Sequence, residues 1–409
     1  MVGKEKQESL WKNRKFLSLF CAHTISLIGT AIGTAAIALL AEKLSEGSGP
    51  RVLGYTLTIR ILVFLFLGPF AGSLSERIGR KFQMILTDVM RAFVMIALFF
   101  VNAEWQLYIL AFVLHLSSAF FTPIYKSIIP GVVGEALYPR ALSYSTVAYN
   151  VSDIFGMLIG GLLIFCFGFE FGFGVDAVSF LLSAVLIAVV PFSSTGKKKE
   201  KERARLLYGI QRMFAVSGLR RSLMLSLQVS IVGGLAIVTT AGYVKNELKM
   251  AEAFYPVAMA VMGIGAMAAS LYYVRCDSNT QKLWGNLILP AFLIILAVAA
   301  LFKSYAVLLI AWFISGAGQG VFGIISNNLL AQNSQEDERS HVYAAQFSLC
   351  HAGWGISYPL CGILASVYSF AVASWACLIL MLITVVPIIL GRKSYLFQIK
   401  TGSLLCAPD

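Results

Sequence analysis

The run Gly72-Ser73-Leu74-Ser75-Glu76-Arg77-Ile78-Gly79-Arg80-Lys81 is a short polar break between two apolar stretches, 52–74 and 82–102. Each residue type has a use at the edge of a bilayer. Gly72 lets a helix end approach a neighbour, Glu76 and Arg77 can pair across adjacent helix ends, and Gly79 permits a tight reversal. Arg80 and Lys81 then meet anionic lipid headgroups. An ordinary positive turn explains these charges but leaves the glycine spacing without a reason.

Working outward, further apolar runs lie near 16–40, 106–129, 142–167, 172–193, 221–243, 253–274, 284–302, 305–330, 341–367 and 369–391, giving twelve candidate spans in 409 residues. Most are long enough to cross about 30 Å of hydrocarbon at about 1.5 Å per residue. The alternation typical of outer-membrane strands is absent. The expected fold is therefore an all-α membrane protein, with twelve transmembrane helices in two six-helix bundles. Composition agrees, with 58% hydrophobic and 13% charged residues. Soluble domains average about 45–50% and 25%. Soluble enzymes, disulfide scaffolds and nucleic-acid binders become poor readings. The seven cysteines follow no disulfide or zinc spacing, and no phosphate-binding loop or catalytic triad occurs. Neither enzyme activity nor a cofactor is expected.

The net charge of +12 is explained by topology. With the N-terminus in the cytoplasm, the cytoplasmic segments hold 24 of the 32 Lys and Arg residues and the opposite side holds 5. Arg60, Arg91 and Lys126 remain within spans. This bias puts both termini in the cytoplasm of a multi-pass protein of a bacterial inner membrane, with no nucleic-acid partner. The apolar stretch Phe16–Leu40 is too long for a signal-peptide core and reads as a retained first span.

The longest break divides the chain into 1–193, a basic cytoplasmic linker at 194–220, and 221–409 with a short cytoplasmic tail. Within the linker, Leu206, Leu207, Ile210, Met213 and Phe214 recur at helical spacing, as in an amphipathic helix on the inner membrane face. The halves also look related. Arg140, Tyr144 and Gly156 recur as Arg339, Tyr343 and Gly355, at a constant offset of 199 residues.

The pattern G-x-x-x-[DE]-R-x-G-[RK]-[RK], matched at every position by Gly72, Glu76, Arg77, Gly79, Arg80 and Lys81, resembles the signature of the major facilitator superfamily. That resemblance implies two bundles rocking around a central cavity lined by spans 1, 4, 7 and 10, with the motif as a cytoplasmic gate latch. Gly209-Ile-Gln-Arg-Met-Phe214 with Ser217-Gly-Leu-Arg220 is similar to the efflux branch that includes enterobactin exporters. Thr56-Leu-Thr-Ile-Arg60, Leu86-Thr-Asp88-Val-Met-Arg91 and the stretch His341 to Trp354 with Tyr358-Pro359-Leu360 are similar to nickel-resistance exporters. The latter resemblance implies outward transport of a divalent metal. Residues 392–409 contain no histidine, and span four, 106–129, has His115 but no arginine of the kind that drug–proton antiporters usually carry in that span.

Ionisable groups inside hydrocarbon cost about 2.5–3.5 kcal/mol on insertion scales, so each calls for a partner or a role. Asp88 and Arg91, three apart on one helix face, can pair as a structural brace. Asp153 in span five suits a proton carrier, and Arg60 in span two either a pathway residue or an ion-pair partner. Asp176, in the outer third of span six, is expected to be satisfied by hydration. His23, His115 and His351 lie within spans, and neutral imidazoles suit nickel, cobalt or zinc. His23 and His115, on cavity-lining spans, are the candidate metal ligands, although hydrogen bonding between helices serves as well. Gln319, Asn327 and Asn328 offer amides to a substrate or to a neighbouring helix.

These residues describe a secondary transporter, expected to be a monomer, that exports a small molecule or metal ion in exchange for protons. The metal reading names nickel or cobalt. The alternatives are a siderophore or drug-like amphiphile exporter, and a non-transporting membrane receptor or partner protein.

Overall fold

An apolar segment in lipid can satisfy its backbone only within itself, and a helix does so over any length. The structure, a computed structural model, describes residues 10–45, 47–67, 70–134, 137–190, 202–334 and 339–384. Helices occupy all twelve apolar runs. In the first half these are α1 (Arg14–Leu44), α2 (Gly49–Phe66), α4 (Arg80–Ala97), α5 (Glu104–Val133), α6 (Tyr138–Phe167) and α7 (Glu170–Val189). The short α3 (Ala71–Ile78) lies between α2 and α4. The second half contains α9 (Ser217–Gly242), α10 (Phe254–Arg275), α11 (Ser278–Leu301), α12 (Tyr305–Asn333), α13 (Arg339–Val367) and α14 (Phe370–Thr384). Among the described residues, eight of these helices meet the length and apolarity of a full membrane span. Large side chains such as Phe93, Phe165, Ile356 and Ile383 stay exposed on the outer surface, as lipid-facing groups do.

The sequence run 52–74 is not one helix. α2 stops at Phe66 and α3 begins at Ala71, a break that coincides with Gly68-Pro69 in the sequence. The helix starts are specific too. Asn13 caps α1 by accepting from Lys15 N and Phe16 N at 3.1 and 3.2 Å, while its Nδ2 donates to Val132 O of α5 at 2.9 Å.

The two halves pack alike. In the first, α1 contacts α2, α5 and α6; in the second, α9 contacts α10, α12 and α13. Small residues set the close approaches. A Cβ at Gly265 would meet Phe313 O, and one at Gly316 would meet Met262 O, so α10 and α12 touch backbone to backbone.

Across the halves, α2 packs on α13, α6 on α10, and both α1 and α2 on α9. The named contacts lie where α1 ends and α2 begins, here called the far end. Gly54 faces Tyr358 O, Gly362 faces Pro50 O, and Gly161 faces Pro256. Ser366 Oγ accepts from Arg51 N at 2.9 Å.

The linker helix α8 (Glu202–Ala215) lies at the opposite end. The sequence places it on lipid, but it packs against α13 and α9, and Met213 is buried with Leu219, Leu223, Leu330 and Val342. Ile210 and Met213 of its apolar stripe therefore dock on the second bundle. Tyr208 and Phe214 remain exposed.

Candidate functional site

α2 carries Arg60 eleven residues beyond its start at Gly49, about 16 Å along the helix and so near mid-membrane. Arg60 precedes Ile61, which packs on Gly355 of α13. Its guanidinium is 6.0 Å from the Phe64 ring. Its charge reaches His115 on α5, and His351 and Tyr358 on α13. Tyr149 of α6, exposed, lies close enough to Tyr358 for the two to interact. Among the described residues Arg60 has no carboxylate partner. Asp153, the aspartate weighed with it from sequence, has its side chain outside the described residues.

This cluster gathers three of the residues singled out in the sequence: Arg60, His115 and His351. His351 Nδ1 donates to Phe347 O at 2.8 Å, which leaves Nε2 as the ring's acceptor. Cys350, its neighbour, turns away into the cluster of α9, α12 and α13. His23 is elsewhere. Its ring lies 4.1 Å from Tyr125 and 6.1 Å from Phe121. Those residues are six to ten positions along α5 from His115, or roughly 9–15 Å. Among the described residues, no three His, Cys, Asp or Glu side chains gather as a metal site would require.

On α12, Gln319 Nε2 points to Met262 Sδ of α10 at 3.8 Å, whereas Asn327 and Asn328 are exposed near the linker end. Asp153 lies on α6, but its side chain falls outside the described residues, as do those of Glu76 and His341.

The motif that opened the sequence reading forms α3 and the start of α4. Gly79 has φ +85°, a conformation that favours glycine, and its N–H donates to Ser75 O at 3.0 Å. Arg77 is exposed. Lys81, expected from sequence at the headgroups, has protein partners. Its Nζ donates to Ala188 O at 2.6 Å and Val190 O at 2.9 Å, so an ammonium caps the negative end of α7.

Asp88 and Arg91 pair as the spacing predicts, fully inside the first bundle. The Arg91 guanidinium lies between the rings of Phe121 and Phe180, at 4.6 and 4.2 Å. Hydration does not reach Asp176: it is 0% exposed, packed beneath Gly29 and Gly33 of α1. In the second half, sequence reading missed a polar network in which Gln346 of α13 donates to Ser226 at 2.6 Å and Ser222 bonds Ser326 at 2.7 Å.

Two six-helix bundles joined at one end, with ionisable groups at mid-membrane between them, define a multi-pass membrane carrier. The chain belongs to the Major Facilitator Superfamily, whose family pattern matches residues 19–355. It is a transporter and not an enzyme. It is 26% identical over 407 residues to the MFS-type transporter YfiS of Bacillus subtilis, covering 95% of both chains. It is also 26% identical over 212 residues to macrolide efflux protein A of Streptococcus pyogenes, covering 50% of this chain and 51% of that one. In fold it resembles a bacterial homologue of the human lysosomal transporter Spinster, solved inward-facing and occupied. The TM-score is 0.75 at 12% identity, over 93% of this chain and 97% of that one.

Proposed function

We propose that this transporter exports amphiphilic organic solutes from the cytoplasm by alternating access, with the solute held at Arg60, His115, His351 and Tyr358. Arg60 carries the reading. A guanidinium at mid-membrane, without a carboxylate partner among the described residues, calls for an anionic or acceptor-rich group on what passes. Tyr149, Tyr358 and the two imidazoles surround it with aromatic surface suited to the apolar part of such a solute. The similarity to macrolide efflux protein A supports export of an organic compound.

With both termini in the cytoplasm, the far end faces outward and the described seam corresponds to an inward-facing carrier. Protons are the proposed counter-ion, with Asp153 the carboxylate expected to carry them and the chain acting as a monomer. The nickel or cobalt reading is weaker on electrostatic grounds. A divalent cation at His115 or His351 would sit within reach of the Arg60 charge, which repels it.

A deletion strain complemented with the wild-type gene is the test, grown against macrolides, acidic amphiphiles, nickel and cobalt. Organic-compound tolerance should rise with the wild type and be lost with Arg60→Ala at equal expression. Tolerance to metals alone, lost with His115→Ala, would replace the organic solute by a metal. If purified protein in liposomes moves no solute under any ion gradient, the receptor reading takes its place.

A further inference from the structure

The first bundle contains a second set of intramembrane charges, apart from the seam and closed to solvent. α4 and α7 run antiparallel, which brings Asp88 and Arg91 of α4 against Asp176, Ser179 and Ser183 of α7. The α7 residues, at positions i, i+3 and i+7, form one polar face on an otherwise apolar helix. Asp88, Asp176 and Ser183 are each 0% exposed. Arg91 pairs with Asp88, and one oxygen of each carboxyl, Asp88 Oδ2 and Asp176 Oδ2, has no hydrogen-bond partner. Ser183 of α7 faces Asp88. Asp176 Oδ1 accepts from Ser179 Oγ at 3.1 Å.

Two carboxylates and one guanidinium leave one excess negative charge in a compartment that excludes water. A lone buried carboxylate is too costly to persist, so a counter-charge must join it. The groups facing Asp176 determine which. From α4 these are Asp88 and Arg91, the latter already paired; from α7, Ser179; from α1, the backbone at Gly29 and Gly33. A Cβ at Gly33 would stand 3.0 Å from Asp176 Cγ, so α1 lies directly on the carboxyl. Hard metal cations take about six oxygens, and the groups facing Asp176 among the described residues supply no such shell. A proton needs one.

We propose that Asp176 is a proton-binding site of this transporter, with Arg91 the positioning residue that keeps Asp88 ionised while Asp176 is neutral. The cover of Gly29 and Gly33 means that the proton enters or leaves only when α1 moves off α7. α1 is also the helix that carries Glu42 to the far-end seam, nine residues beyond Gly33. Opening the seam and exposing Asp176 are thus movements of one rigid element. The inference rests on the transport reading only for its place in the cycle, because protonation is measurable with no solute present.

The experiment is an infrared titration of the full-length protein in lipid nanodiscs, comparing wild type with Asp176→Asn and Asp88→Asn. A protonated-carboxyl carbonyl band should be present in the wild type at neutral pH and missing from Asp176→Asn; in Asp88→Asn, where one carboxylate faces one guanidinium, it should also be lost as Asp176 ionises against Arg91. An identical band in Asp176→Asn overturns the proposal. Should that variant not fold, Asp176→Glu takes its place and must shift the band; an unshifted band is equally fatal. In liposomes, the ratio of export rates between mildly acidic and mildly alkaline media should fall in Asp176→Asn to the part that Asp153 carries. An unchanged pH profile removes Asp176 from coupling even where the infrared band is assigned to it. A wild-type protein that shows the band but exports no solute would refute the transport reading instead.

Discussion

Asn246, in the helical turn that follows α9, donates from Nδ2 to Glu42 Oε1 of α1, a side-chain hydrogen bond that crosses from one half of the molecule to the other. Glu42 is 3% exposed, packs on Gly49 and Gly242, and has its second oxygen unpartnered. The Lys245–Glu252 ion pair, at 2.7 Å, stands close by on the second half. Glu42 is therefore a polar group whose burial depends on the seam being closed.

Asn246→Ala should favour the far-end-open state. A hydrogen bond to a charged group contributes about 1.5–3 kcal/mol, and about 1.4 kcal/mol is tenfold in a population. Spin labels at Ser48 and Ser366, read by pulsed electron resonance, should show a longer-distance population that grows by at least about tenfold. Glu42→Gln retains a carbonyl acceptor for Asn246 and should leave the distances near those of the wild type.

Breaking the Asp88–Arg91 pair from one side should destabilise the first bundle severely. Removing one partner strands a buried charge, at about 3–5 kcal/mol. Arg91→Ala also removes the cation between Phe121 and Phe180. Thermal unfolding in detergent should show a large drop for Arg91→Ala, with partial recovery in Asp88→Asn/Arg91→Gln. Equal losses in the single and double variants would argue against the pair.

Gly33→Ala should be destabilising by about 1–3 kcal/mol, as overpacked sites are. The new Cβ collides with the Asp176 carboxyl and α1 cannot yield without leaving α7. Shortening the opposing side chain should restore fit, so Gly33→Ala/Asp176→Ser is expected to melt above Gly33→Ala alone.

Lys81→Ala should cost more than Arg80→Ala. Only Lys81 caps the α7 carbonyls at 2.6 and 2.9 Å, an interaction of a helix terminus with a cation of about 0.3–1 kcal/mol. Melting temperatures of the two variants at low ionic strength check the order.

Outside the spans, Asp277 caps α11. It accepts from Asn279 N at 3.0 Å and Thr280 Oγ1 at 2.5 Å, and these bonds hold its carboxyl below the usual range. A lowered folded pKa gives a contribution present above the unfolded value and lost as pH falls through the folded one. Amide exchange at Asn279 and Thr280 should therefore quicken in acid relative to neighbouring amides. In Asp277→Asn that acid-specific change should disappear.

The helices were legible because lipid leaves the backbone few options, and hydropathy reports where lipid is. The Asp88–Arg91 pair was legible because i, i+3 spacing on one helix is local. Gly79 was read from its place in a reversal, and φ +85° bears that out. What was missed depends on partners distant in sequence. Lys81 looked like a headgroup contact because the α7 end that it caps lies more than a hundred residues away. Asp176 looked hydrated because depth along a helix was taken for exposure. The signal that would have corrected this, polar residues at 176, 179 and 183 on one face of α7, was present in the sequence. Glu42 fell in a loop of the topology, and only the packed structure closes Gly49 and Gly242 over it.

The far-end seam closes largely by backbone meeting backbone, Gly54 against Tyr358 and Gly362 against Pro50. The described ion pairs beside it, Lys43–Glu170, Arg51–Glu104, Lys245–Glu252 and Lys303–Glu247, each stay within one half. Dissolved salt screens attraction between exposed charges but has little hold on shape. A seam closed by fit keeps nearly the same balance between open and shut in dilute and in briny surroundings, so the barrier at this end does not depend on the ionic strength of the solution that bathes it.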